Sequence, residues 1–296
     1  MTKRERLAAT LAGRDVDRPA VAFWRHVPEA DHDPRRLADA MLAFQARWDL
    51  DFIKVMSSGV YCVEDWGCTV AYTGAPSGAK QCTAHAVTMP EHWRRLALLD
   101  PGAGALGREL EAVYRIAQGR DEDVPVLHTV FSPLTVAHKL AGERLHDHLR
   151  EAPDDLRAGL ETITATLVRY VATAFEAGAD GLFFATQTAT PDIAERELFE
   201  AWDLPGIRRA GGRAGALVPH PVPRSRKDAV PRRAGRTAGP RAELARPRDH
   251  AGAGPGTRAV HRGARGRTQR VVILWTPRRR ETIHPGLGIR RPRLDI

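Results

Sequence analysis

Cysteine is scarce in this chain: Cys62, Cys68 and Cys82 are the only three among 296 residues. They form no CxxC pair, and so small and odd a number predicts reduced structural thiols in a reducing cytoplasm. Zinc held by Cys62 and Cys68 is the rarer alternative. No run of about 18 apolar residues occurs, which excludes a helical membrane span. A charged-then-apolar leader is also missing, since Met1–Leu11 is too charged for a signal sequence and reads as a short amphipathic helix stopped at Gly13. GxxxxGK[ST] is not present, which disfavours the common nucleoside-triphosphate site, and the GxGxxG at Gly102–Gly107 follows no predicted strand, so it does not make the common dinucleotide site. No internal repeat is visible.

Other scarcities are confined to one part of the chain. Residues 204–296 contain no cysteine, a single lysine (Lys227) and a single aromatic residue (Trp275). They carry 23 Lys and Arg against 5 Asp and Glu, whereas residues 1–203 carry 22 against 31. Eleven prolines and thirteen glycines crowd the same 93 residues. A basic arm on nucleic acid is one reading, through Arg232-Arg233 and Arg278-Arg279-Arg280. With stacking aromatics nearly absent, no specific nucleic-acid partner is expected. Disorder is a second reading, from high Pro and Gly without apolar periodicity.

Arg, Pro, Gly and Ala are also what GC-rich codons yield in a wrong frame. Leu244–Ala251 can be encoded as CTG GCA CGA CCG CGA GAC CAC GCC, which from its second base reads Trp-His-Asp-Arg-Glu-Thr-Thr. The windows Leu217–Arg224 and Arg279–Leu287 also permit strand-like or Gly-rich readings in that frame. A one-base insertion or two-base deletion shortly after codon 203 is therefore the favoured origin. The expected division is a folded part, residues 1–203, the first half of a barrel, and an out-of-frame, largely disordered tail, residues 204–296.

Within residues 1–203, helices and strands alternate. Strands are predicted over Ala20–Trp24, Asp51–Met56, Val124–Phe131 and Gly181–Thr186. Helices are predicted over Leu37–Trp48, Glu91–Leu98, Leu106–Gln118, Pro133–Leu140 and Pro153–Ala177, with another beginning at Glu195–Trp202. A polar, Gly-containing loop follows the second strand through Gly67. This order indicates a parallel α/β sheet or barrel.

Several segments, in order, resemble the uroporphyrinogen decarboxylase superfamily. They are Arg4-Glu5-Arg6-Leu7, Gly13-Arg14-Asp15-Val16-Asp17-Arg18-Pro19, Phe23-Trp24-Arg25-His26, Glu64-Asp65-Trp66-Gly67 and Gly178-Ala179-Asp180-Gly181-Leu182-Phe183-Phe184. The resemblance implies a TIM-type (β/α)8 barrel, with its site at the C-terminal ends of the strands. Only the first half of that barrel precedes the tail. It also implies cofactor-independent decarboxylation, a carbon–carbon lyase reaction of porphyrin biosynthesis. In the family, arginines hold the substrate's carboxylates and a buried carboxylate stabilises the protonated intermediate. The expected partner is a small carboxylated molecule, with homodimerisation open to the full barrel.

Arg25 lies where the family places a substrate-binding arginine, and its bland alternative is an ion pair on the barrel rim. His26 is a candidate acid, base or ligand, against a hydrogen-bonded structural histidine. Glu64 and Asp65 read as a general acid/base pair or as solvated or helix-capping carboxylates. Ser132 and Gln187 follow strands at positions that would face substrate. His128 reads rather as a satisfied core histidine. The family's Arg-Gln-Ala-Gly-Arg pattern is replaced by Arg25-His26-Val27-Pro28-Glu29, and its aspartate after the second strand by Val55-Met56-Ser57-Ser58.

The same superfamily includes cobamide-dependent methyltransferases, whose zinc is held by a His-x-Cys pair and a distant cysteine in the second half of the barrel. The tail lacks the cysteines for it. Four strands cannot close a barrel, which predicts an open edge, exposed apolar surface, and a poorly folded, inactive chain. A non-enzymatic, nucleic-acid-binding chain acting through the tail is the rival class.

Overall fold

The computed structural model describes residues 1–188, 199–203, 205–206 and 270–275. Helix α1 (Lys3–Ala12) opens with a capping box, in which the Thr2 hydroxyl accepts from Glu5 N and the Glu5 carboxylate accepts from Thr2 N. It stops at Gly13, whose φ of 68° is the left-handed conformation a helix end requires. Helix α2 (Pro34–Trp48) begins under an Asp33 cap with proline in its first turn.

Strand β1 (Ile53–Lys54) is parallel to β4 (Val126–Phe131), and β4 is parallel to β5 (Gly181–Thr186). Between β1 and β4 come the short helix α3 (Tyr61–Glu64), a hairpin of β2 (Thr69–Ala71) and β3 (Gln81–Ala84), a 3-10 helix at Pro90–Arg95, and α4 (Gly104–Gly119). Helices α5 (Pro133–Ala141), α6 (Arg144–Glu151) and α7 (Pro153–Glu176) lead from β4 to β5. A π-helical turn spans Phe199–Asp203. Strand β6 (Arg270–Trp275) lies antiparallel on β5, so the edge that the sequence leaves open after Gly181–Thr186 is covered by a strand from the tail.

Period-two alternation sorts the strands into two faces. Val55, Val126, Val130, Leu182 and Phe184 pack with the buried faces of α4, α5 and α7 in the main core. On the opposite face Leu127 and Phe183 meet Phe52 and the α1 residues Leu7 and Leu11. Burying leucine-sized side chains on both faces contributes about 1.5–3 kcal/mol each.

The opening motifs hold this end together. Arg6 donates to Asp17 and Asp51, Arg18 reaches the same Asp51, and Arg4 pairs with Asp180 at 2.9 Å. Asp51 and Asp180 sit just before β1 and β5, so these ion pairs fasten α1 to the N-terminal ends of the sheet.

Most predicted elements are present, with four differences. Ala20–Trp24 joins no strand ladder: the Val21 carbonyl accepts from Asp51 N at 2.9 Å, but the Val21 N–H goes to the Asp51 carboxylate (2.7 Å) and not to a backbone carbonyl. The helix expected over Glu91–Leu98 is a 3-10 helix over Pro90–Arg95, anchored by the fully buried Trp93, whose indole N–H donates to His148 at 3.1 Å. The β2–β3 hairpin and α6 were not legible, since the hairpin strands are only three and four residues long and α6 is short and mostly polar. The helix beginning at Glu195–Trp202 is a π-helical turn over Phe199–Asp203, its earlier residues lying outside the described residues. No described helix is long and apolar enough to cross a membrane.

Candidate functional site

Side chains on the sheet's inner face and the loops above it surround a cavity of about 790 Å³. Its floor comes from Lys54, Thr129 and Phe183, and its upper wall from Met56, Phe131, Ala185 and Gln187. Trp24, Arg25 and His26 form one side, and the β2–β3 loop (Pro76, Ser77, Gly78) closes over them. Gly78 has φ +75°, and a Cβ there would come within 3.0 Å of the His26 carbonyl oxygen, so the loop approaches this closely only with glycine.

Lys54 is the unusual group. It is only 6 % exposed, and its ammonium lies 4.3 Å from the Phe183 ring centroid and 4.7 Å from that of Trp24. Among the described residues its ammonium donates to Met56 Sδ at 2.8 Å and pairs with no carboxylate. Burial pulls its pKa down to about 7. The same burial, reinforced by the Lys54 charge, lowers His26 to about 4, so that imidazole is neutral near pH 7, with Nδ1 unpartnered. The neutral ring offers a donor on one nitrogen and an acceptor on the other.

Arg25, His26 and Gln187 line the cavity, although only Gln187 follows a strand of the sheet. The remaining candidates lie elsewhere. Glu64 pairs with Arg108 at 2.9 Å, and Asp65 accepts from the backbone N–H groups of Ala105 and Leu106 at 2.8 and 3.1 Å, capping α4. Ser132 is fully buried, caps α5 through Thr135 N, and donates to Asp203. His128 is fully buried beside Tyr170, with Nε2 2.7 Å from the phenol oxygen, and burial drops its pKa to about 3. None of these four lines the cavity.

Sequence reasoning missed two groups. Lys54 was detectable as a lone cation inside the apolar run Phe52-Ile53-Lys54-Val55-Met56. Glu109 falls on the buried face of α4 with Leu106, Leu110 and Val113, and burial raises it to about 8 against the opposing influences of Ser57 and Arg108. A carboxyl there is protonated near neutral pH and sits behind Ser57, which lines the cavity.

The cysteines are divided. Cys62 and Cys68 are both buried; burial pushes the Cys62 thiol up to about 12, whereas a hydrogen bond from Cys82 draws Cys68 down to about 7.

Parallel strands with intervening helices, and a cavity over the strands' C-terminal ends, place this chain among α/β folds of TIM-barrel type. More narrowly, it belongs to the uroporphyrinogen decarboxylase (URO-D) family, whose model matches residues 2–223 and so runs past Asp203. Two curated relatives are the methylcobamide:CoM methyltransferases MtbA of Methanosarcina acetivorans and Methanosarcina mazei. Each is 24 % identical, over 217 and 220 residues respectively, covering 69 % of this chain. The chain spans 64 % of the length of those relatives. A solved methyltransferase structure from Methanosarcina mazei superposes with a TM-score of 0.63 at 24 % identity, covering 72 % of this chain and 67 % of the other. At that identity the superposition establishes the fold alone.

Proposed function

We propose that the cavity binds a small anionic molecule and is the substrate-holding part of a URO-D-family enzyme related to the methyltransferase branch. One observation carries this: Lys54 is a buried cation facing the cavity, with no carboxylate partner among the described residues. An ammonium taken out of water without a counter-charge is costly, and a bound carboxylate or sulfonate supplies the missing charge. The exposed guanidinium of Arg25 at the rim suits a second anionic group, and Gln187 and neutral His26 supply polar contacts that orient it.

The relatives' names favour methyl transfer over decarboxylation. The changed pattern at Arg25–Glu29 points the same way. The zinc site implied by resemblance to cobamide-dependent methyltransferases does not fit this chain's residues. All three cysteines fall within Cys62–Cys82, none belongs to a His-x-Cys pair, and residues 204–296 contain none. No methyl-transfer step is therefore assigned to it; the chain's own contribution is anchoring and orienting the anion. Decarboxylation of a carboxylated tetrapyrrole is the second reading, favoured by the family match.

The test is calorimetric titration with two probes, coenzyme M for the first branch and coproporphyrin for the second, at pH 6 and pH 8.5. Saturable binding that weakens at the higher pH and is lost in Lys54→Met supports the proposal, and the preferred probe selects the branch. Binding of neither probe, or equal binding by Lys54→Met, overturns it.

A further inference from the structure

Helices α5 and α6 meet at a corner outside the cavity. Gly142, φ +62°, breaks the run between them, and its N–H donates to the His138 carbonyl at 2.7 Å. On one continuous helix residues 138 and 146 would stand about 12 Å apart along the axis. The break folds them together instead. Glu143 Oε1 is 3.8 Å from His138 Nε2, Glu143 Oε2 is 4.0 Å from His146 Nε2, and the three ligand atoms all lie within 4.8 Å of one another. The two imidazole rings are 6.4 Å apart, inclined at 69°, with the carboxylate between them.

From this juxtaposition the geometry points to a divalent transition-metal site at the α5–α6 corner, held by His138, Glu143 and His146, with zinc as the fitting ion. Two imidazoles and one carboxylate are a borderline-soft donor set that suits zinc, leaving a fourth position for water. Ligands about 2.1 Å from a tetrahedral zinc are separated by about 3.4 Å, so contractions of a few tenths of an ångström to about 1.4 Å complete the site. The exposed Glu143 side chain and the half-buried His146 ring supply that movement. The backbone beneath is fixed, because Leu140, Ala141 and Leu145, interleaved with the ligands, are buried in the core. Zinc would clamp the end of α5 to the first turn of α6, independently of what the cavity binds.

The experiment is titration of the full chain with zinc chloride, followed by calorimetry and thermal melting. The expected result is one saturable equivalent and a rise in Tm. His138→Ala and His146→Ala lose it, and Glu143→Gln, which removes the site's one negative charge, weakens it by about tenfold or more. The Cys68→Ser/Cys82→Ser double variant keeps it. Far-UV circular dichroism checks that each variant retains its helices. As a second measurement on the unaltered chain, zinc should protect His138 and His146 from diethyl pyrocarbonate while leaving the exposed His32 reactive. Absence of saturable binding, binding unchanged in the histidine variants, or a thiolate charge-transfer band on cobalt substitution each overturns the assignment.

Discussion

The Ser132 hydroxyl donates to Asp203 Oδ2 at 2.7 Å, joining the first residue after β4 to the last residue before the chain's composition changes. Leu134 N donates to the other carboxylate oxygen at 2.8 Å, so Asp203 acts as a second cap on α5.

Asp203 is fully buried, and burial raises its pKa from 3.8 to about 6 despite these hydrogen bonds. The folded chain therefore holds a proton that the unfolded chain releases between those values. The associated stability is complete below pH 3.8 and falls by up to about 3 kcal/mol as pH rises through 6. Asp203→Asn should remove this fall, read as the difference between the two chains' urea midpoints from pH 4 to pH 7. A second fall, from Glu109, ends near pH 8 and should be common to both.

Lys54→Met should stabilise the chain while abolishing anion binding. A buried, unpaired ammonium is replaced by an apolar side chain of similar length, worth on the order of 1–4 kcal/mol near neutral pH. In the parent chain Lys54 has its pKa lowered from 10.5 to about 7. The unfolded state then binds more protons in that window, so parental stability rises with pH across it. Melting curves at pH 7 and pH 10 should show the gap between variant and parent narrowing.

Asp65→Ala should cost about 0.5–2 kcal/mol through loss of the α4 cap. Binding in the cavity should be unchanged, since Asp65 does not line it. Gly104→Ala should be at least as damaging, because φ is +55° and its Cβ would meet the Asp65 carboxylate oxygen at 2.2 Å. Chemical denaturation of both variants alongside probe titration separates this capping role from acid/base catalysis.

Alkylation should discriminate the thiols. At pH 7.5 iodoacetamide should modify Cys68 before Cys62, since both are buried but Cys68 is drawn down to about 7 while Cys62 is raised to about 12. Peptide mass mapping over time reads the order directly, and early labelling of Cys62 would show that its surroundings are open.

The proposal that residues 204–296 are read out of frame makes a prediction at the level of DNA. Sequencing the locus across codons 195–215 should find one base fewer than this reading requires, or two more. A sequence that matches the present reading would remove the proposal and leave β6 as a native strand on β5.

Local patterns in the sequence determined much of the architecture. The 3.6-residue spacing of α2, α4 and α7 and the apolar runs of β4 and β5 are signals set by near neighbours, and each element formed where they lie. Family membership was legible for a related reason, though the motifs that reveal it, around Arg4–Arg6 and Asp17–Arg18, serve as ion pairs under the sheet rather than as substrate ligands. Gln187 was singled out because residues just after parallel strands gather at one end of the sheet, and Arg25 and His26 through the family resemblance; all three line the cavity. Tertiary structure alone decided the rest. Whether a carboxylate is solvated, capping or catalytic depends on what lies opposite it, and Asp65 meets α4 forty residues away in sequence. Lys54 became a buried charge only when the rings of Trp24 and Phe183 closed on it from two other segments. Desolvation and long-range pairing are properties of the assembled core, and no window of sequence contains them.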